Sequence, residues 1–197
     1  MLAPHRLNEF DSTGHHLRSF GTVPLVADGV PVTAAQQILQ PSAAIRPGTP
    51  TLAVGARYAG RIDIYDLTSG NSSEVRAPDP FVYGSGIGSN GTTPGGGMNV
   101  ITTDGQTRFG YIALAATKDR IYGLFSGRTR SAYPGRANLG QVVHVFDWEG
   151  HFIAEIHLDE EAIRIAVTPD DDTLYSLTVD PEPTVREHTI SGAKSGT

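Results

Sequence analysis

The chain has 197 residues, 39% of them hydrophobic, with 23 glycines and 13 prolines; the length suits one domain or part of a repeat array, and the composition favours many turns over long helices. A formal net charge of −6 argues against general nucleic-acid binding, which needs a basic face. The absence of cysteine removes disulfides, thiolate zinc sites and cysteine nucleophiles, and no stretch approaches the roughly 18 apolar residues of a membrane helix.

In chain order, Met1 to Phe10 lacks the apolar core of a signal peptide. Asn8 to Phe20 then reads as strand, turn, strand: an aromatic at Phe10, Asp11 next, Gly14 soon after, and a second run. The same order returns at Tyr65, Asp66 and Gly70, and again at Phe146, Asp147 and Gly150. Aspartate bonds the backbone amides of a turn and glycine supplies the positive φ of a tight hairpin, so each copy predicts a β-hairpin. Val32–Leu39 alone looks helical, with Pro41 close behind. Thr51–Ala56 and Arg61–Asp66 predict strands around a turn at 57–60. Two long loops are expected, the glycine-rich Gly84–Gly97 and Ser126–Gly140. Tyr111–Ala116 and Arg120–Phe125 flank a Thr-Lys-Asp turn, and Ile163–Val167 and Leu174–Leu177 flank Pro-Asp-Asp-Asp. These runs are apolar on both faces, the pattern of inner strands held between neighbouring sheets. Residues 191–197 are expected to form a disordered tail.

The three aromatic-Asp-Gly copies stand roughly 55 and roughly 81 residues apart, against about 40–50 residues per blade in propeller repeats. One blade explains the first spacing, and one blade plus long loops the second. Counting strands gives two near the N-terminus, then about four, about four and finally three, where a closed ring takes about four to eight blades. The fold class predicted is all-β: a β-propeller whose ring is incomplete, at three to four blades. The first and last strands are expected to share a blade. The whole chain, 1–197, reads as a single domain and as the C-terminal portion of a longer propeller.

Gly110–Ala115 together with Arg120–Gly127 resembles the inner strands of TolB-like six-bladed β-propellers, and His144–Gly150 resembles the hairpin that follows them. Leu174-Tyr175 with Asp180–Pro183 is similar to that family's closing region. The resemblance is strongest over 105–190 and extends to 5–80. It implies the six-bladed fold and an extracytoplasmic location, since such domains occur in bacterial exported proteins and lipoproteins. It carries no catalytic set. The chain departs from the family in its length and in lacking a lipobox cysteine, so the resemblance gives no support for a lipid anchor.

The loop 126–136 holds the candidate site. Arg128, Arg130, Tyr133 and Arg136 gather there in an acidic chain. Guanidinium forks recognise carboxylate or phosphate and tyrosine adds a stacking surface, while long loops on rigid scaffolds are where binding concentrates. Other motifs weigh less. Gly86–Gly91 matches G-x-G-x-x-G, but Thr-Thr-Pro-Gly-Gly-Gly follows and cannot open the helix a dinucleotide needs. His144, His151 and His157, with Asp147, lie on neighbouring strands and could converge, although packing and surface roles account for them. Asp170–Asp172 reads as hairpin chemistry rather than a calcium loop. Glu160 and Glu161 are expected to face solvent on a strand-entry loop.

No catalytic residue, metal ligand or cofactor is assigned. The function expected is a non-catalytic binding module whose loops contact a small anionic ligand or a partner protein, with no nucleic acid and no transmembrane segment. One alternative is a hydrolase or lyase using His and Asp residues that face a central channel. Another is a structural half-ring completed by self-association through open blade faces.

Overall fold

The computed structural model describes residues 5–23, 32–39, 41–83, 87–90, 98–101 and 103–190. A hairpin comes first, β1 (His5–Phe10) with β2 (His16–Thr22). A short helix α1 (Val32–Ile38) leads into β3 (Pro41–Ile45), β4 (Thr51–Ala56), β5 (Arg61–Asp66) and β6 (Ser72–Arg76), an antiparallel four-stranded sheet in sequence order. A second such sheet holds β9 (Tyr111–Ala116), β10 (Arg120–Phe125), β11 (Gly140–Asp147) and β12 (Phe152–Ala162). The third has three strands, β13 (Arg164–Val167), β14 (Thr173–Thr178) and β15 (Thr184–Thr189). In chain order between the two full sheets comes a small pair, β7 (Ile87–Asn90) with β8 (Met98–Ile101).

The sheets stack face to face around β3, β9 and β13, which run side by side as the inner strands. Strand parity shows why. Along β10, Ile121 and Phe125 face the β3–β6 sheet while Tyr122 and Leu124 face the β13–β15 sheet, so the strand is buried on both sides. β11 repeats this, with Phe146 on the first side and Val143 and Val145 on the second. On β5, Ile62 and Ile64 point to the same cluster as Ile121. These are radial blades, and together they form an open, incomplete propeller ring.

The three hairpins share one construction. The amides of Asp11, Asp66 and Asp147 reach the carbonyls of His15, Asn71 and His151, and Gly14, Gly70 and Gly150 donate back to the three aspartates. Each aspartate Oδ1 also accepts a turn amide, from Thr13, Thr68 and His151 respectively. Gly150 shows why glycine is required. Its φ is 93°, and a Cβ would come within 2.8 Å of Val75 on the preceding blade. Gly70, with φ 77°, faces Phe20 on β2 from the equivalent turn, where a Cβ would make ordinary contact at 3.6 Å. The hairpin β1–β2 is therefore the outer pair of a blade.

Four expectations change. β1–β2 and β13–β15 belong to separate sheets, so first and last strands do not share a blade. Within the segment expected to be a loop, Ile87–Asn90 is a strand paired with Met98–Ile101; Gly86 and Gly91 of the glycine motif lie outside the described residues. β13 buries Ile165 but exposes Arg164 and Ala166, because among the described residues no sheet covers its second face. Glu160 and Glu161 sit within the long strand β12, not on an entry loop. The tail 191–197 lies outside the described residues.

Candidate functional site

Because each blade begins at the same end of the ring, equivalent loops collect on one face. The β4–β5 turn, the segment entering β9, the β10–β11 loop, the end of β12 and the β14–β15 turn all meet there. Hydrogen bonds tie them together: Gly110 N donates to Arg57 O at 2.6 Å, and Phe109 N to Arg128 O at 2.9 Å. The β10–β11 loop is pinned both within itself and to the segment that enters β9. Ser126 Oγ donates to Ala137 O at 2.6 Å, Tyr133 N to Thr129 O at 3.0 Å, and Ser131 N to Gly105 O at 2.8 Å.

The candidate residues of this loop divide into two groups. Arg128, half-buried, pairs through Nη1 with Glu161 Oε1, donates through Nη2 to Gln141 Oε1 at 3.1 Å and stacks 4.4 Å above the Tyr133 ring. Arg136 reaches Glu161 Oε2 with Nε at 2.7 Å and Asp180 Oδ2 with Nη1 at 3.0 Å. Glu161 is thus clamped by two guanidinium groups. Its burial works to push its carboxyl up, but the bonds from Arg136 and Arg128 prevail and hold it below the usual range. Arg130 stands apart. Exposed, it makes no ion pair among the described residues and lies 5.7 Å from the Phe109 ring centre. With Arg57, Tyr58, Phe109 and Asn138 it lines a cavity of about 460 Å³ on the loop face.

A groove of about 340 Å³ runs from this loop between the two full blades, with His144 and Glu155 at its floor and Arg108, Arg128 and Tyr133 along it. His144 is 3% exposed. Its Nδ1 lies 3.1 Å from the Tyr111 hydroxyl and its Nε2 3.4 Å from Glu155 Oε2, while His157 takes the other Glu155 oxygen at 2.7 Å. Burial pushes the His144 imidazole down, against the opposing pull of Glu155, and pushes the Tyr111 hydroxyl up. Both are neutral near neutral pH. Of the histidines read together in the sequence, His144 and His157 meet at Glu155, whereas His151 stays on the opposite end, in its own turn with Asp147 at 2.8 Å. Ser126, the serine on the groove wall, is committed to Ala137 O and forms no nucleophile–base pair with His144 among the described residues.

The aspartate run is also separated by the fold. Asp171 adopts φ 60° and turns inward to accept the Tyr122 hydroxyl at 2.8 Å, while Asp170 bonds Thr168 within the turn. The sequence reading missed Glu161 and Asp180 as arginine partners, and it missed Asp63. Asp63 carried a usable signal, a carboxylate between Ile62 and Ile64 that shares strand parity with Arg61 and Tyr65.

Stacked antiparallel sheets around common inner strands, with loops gathered at one end, define a β-propeller. The chain belongs to the TolB-like 6-blade propeller-like family, whose model matches residues 1–170. No curated protein matches it in sequence. Among solved structures it is similar to the Cps50 (Swd1) beta-propeller domain of Myceliophteria thermophila, at 11% identity and a TM-score of 0.43 over 76% of this chain and 37% of that one. It is also similar to Kuenenia stuttgartiensis hydrazine synthase, at 15% identity and a TM-score of 0.42 over 78% and 37%. A chain of the Mitotic Checkpoint Complex matches at 14% identity and a TM-score of 0.43 over 76% and 36%. The chain spans little more than a third of the length of these structures. No described helix is long and apolar enough to cross a membrane.

Proposed function

We propose that this chain is a non-catalytic binding module, the C-terminal portion of a longer extracytoplasmic propeller, that takes a small anionic ligand on its loop face. One observation carries the reading: Arg130 is the member of the arginine loop without a carboxylate partner among the described residues, and it stands at a cavity shared with Arg57 and Asn138. Arg128, Tyr133 and Arg136 belong to the same site as its frame, since Glu161 and Asp180 fix the loop that presents Arg130. A carboxylate or phosphate would complete the unpaired guanidinium, and Tyr58 and Phe109 would supply an apolar wall. Calorimetric titration with citrate and with inorganic phosphate tests this. Arg130→Ala should abolish binding without altering the melting temperature; binding that survives the substitution removes the proposal.

A second reading rests on the outward face of β13–β15. Val185 is 65% exposed beside half-buried Leu177, its cross-strand partner, and no buried cluster of the described residues covers them. Apolar sheet faces of this kind drive association, and the occupant would be a further blade or a second copy of this chain. Sedimentation of the wild type and of Val185→Asp separates these, because a monomer unaffected by the substitution excludes the second copy.

A further inference from the structure

The cavity at Arg130 is larger than a bare anion needs. At about 460 Å³ it falls within the roughly 300–1,000 Å³ of pockets that enclose whole small molecules. An inorganic ion on the guanidinium would leave most of that space to solvent. Part of the lining is aromatic: Tyr58 and Phe109 both contribute, with ring centres 5.1 Å apart and planes inclined at 55°. They are 9% and 4% exposed, so each offers the cavity a narrow strip of ring and not a whole face. The β10–β11 loop adds Gly135, Ala137 and Asn138, which bring little side-chain bulk, and a Cβ on Gly135 would meet no heavy atom within 4 Å. A narrow aromatic strip suits a flat π-system, because the positive edge of one ring attracts the negative face of another; a saturated body gains only from the area it buries.

Charge restricts the polar end of the ligand. Arg128 and Arg136 are closed onto Glu161, and Arg136 onto Asp180 as well. Arg57, the other guanidinium of the lining, already has a partner of its own. Arg130 forms no ion pair among the described residues, so the cavity presents one open guanidinium fork. One fork takes one carboxylate, through two parallel N–H donors. A second negative charge would find no open cation among the described residues, in a chain whose formal net charge is −6. With Arg130 as the anion anchor, a reading on which this step rests, we infer that the ligand is an aromatic monocarboxylate. Its carboxylate pairs with Arg130 and its ring packs against Tyr58 and Phe109.

The chain is titrated calorimetrically with benzoate, phenylacetate, cyclohexanecarboxylate, acetate and inorganic phosphate through about 10 mM, a range that registers millimolar affinity. Benzoate or phenylacetate should give saturable heat. Cyclohexanecarboxylate should bind roughly two- to tenfold more weakly, the scale of an edge-to-face ring pair. Acetate and phosphate should bind more weakly still, since neither fills the cavity. Arg130→Lys keeps the charge and removes the fork, so it should weaken the ring acid about tenfold. Arg130 is exposed, and circular dichroism melts should show the variant folded like the wild type. Phosphate binding that depends on Arg130, with no saturable heat from either ring acid, overturns the aromatic ligand and leaves the anion site standing. Cyclohexanecarboxylate that binds as tightly as the better ring acid has the same consequence, as does wild-type ring-acid affinity in Arg130→Lys. Undiminished ring-acid binding in Arg130→Ala, or silence from every anion, overturns the ligand and the anion site together.

Discussion

Glu161 is the residue on which the arginine loop depends, and its removal is a quantitative test of the pairing. Its side chain is 16% exposed and that of Arg128 12%, so Glu161→Ala leaves a largely buried cation without its counter-charge. Breaking a fully buried pair costs about 3–5 kcal/mol, and losing a charged hydrogen bond about 1.5–3 kcal/mol. This pair lies at the edge of the blade, where water partly reaches it, so the expected loss is about 2–3 kcal/mol. At roughly 2–4 °C per kcal/mol, that lowers the melting temperature by roughly 4–12 °C. Glu161→Gln keeps an acceptor and should cost about 1–2 kcal/mol. Urea unfolding followed by the fluorescence of Trp148, the one tryptophan and 6% exposed, provides the assay. Adding Arg128→Met to Glu161→Ala should recover part of the loss, because the stranded cation is gone. The acid limb supplies a second check. Glu161 titrates lower in the folded state than its ordinary 4.5, so its stabilisation is complete above that value and is lost as pH falls through the folded pKa; Glu161→Ala should flatten this limb. A change below about 0.5 kcal/mol, the size of a bland surface substitution, would refute the reasoning.

Three other outcomes are expected. Gly110→Ala should prevent folding or cost about 3 kcal/mol or more in urea unfolding, since its Cβ would lie 2.1 Å from Ala59 O and 2.7 Å from Ala56 O; a soluble variant of wild-type stability would contradict this packing. Tyr122→Phe should cost about 1–2 kcal/mol by the same assay, because Asp171, on the neighbouring blade, loses the hydroxyl it accepts at 2.8 Å. His144 is held below its ordinary pKa of about 6.5, chiefly by burial. The unfolded chain therefore binds the extra proton first, and stability that is full above about pH 6.5 declines as pH falls toward the folded pKa. Melts at neutral and mildly acidic pH should show a smaller decline in His144→Phe than in the wild type, and equal declines would count against the assignment.

Much of the fold was legible because hairpins are local. Asp11, Asp66 and Asp147 each bond amides within a few residues, and Gly14, Gly70 and Gly150 close the same turns, so three short stretches announced three outer strand pairs before any packing was known. β9 and β10 were likewise readable, since a strand buried on both faces must be apolar throughout. β7 and β8 were not: Ile87–Asn90 is surrounded by glycines and threonines that score as loop, and its pairing with Met98–Ile101 is a tertiary choice. The candidate site was legible as a composition but not as an arrangement. Arginines 128, 130 and 136 look equivalent in sequence; the partner of Arg128 stands 33 residues away on β12.

The sequence by itself determined where the three aspartate–glycine hairpins turn and that β9 and β10 are apolar on both faces, and hence that the chain builds repeated radial sheets, because turn chemistry and side-chain parity act over a few residues. Only the tertiary structure decided that Glu161 joins Arg128 and Arg136 while Arg130 forms no ion pair among the described residues, that Asp63 is buried against Arg61 on its own strand, and that the N-terminal hairpin stands apart from the last sheet. Those outcomes depend on which side chains the stacking of distant blades brings within a few ångströms, and that distance is written in no single stretch of the chain.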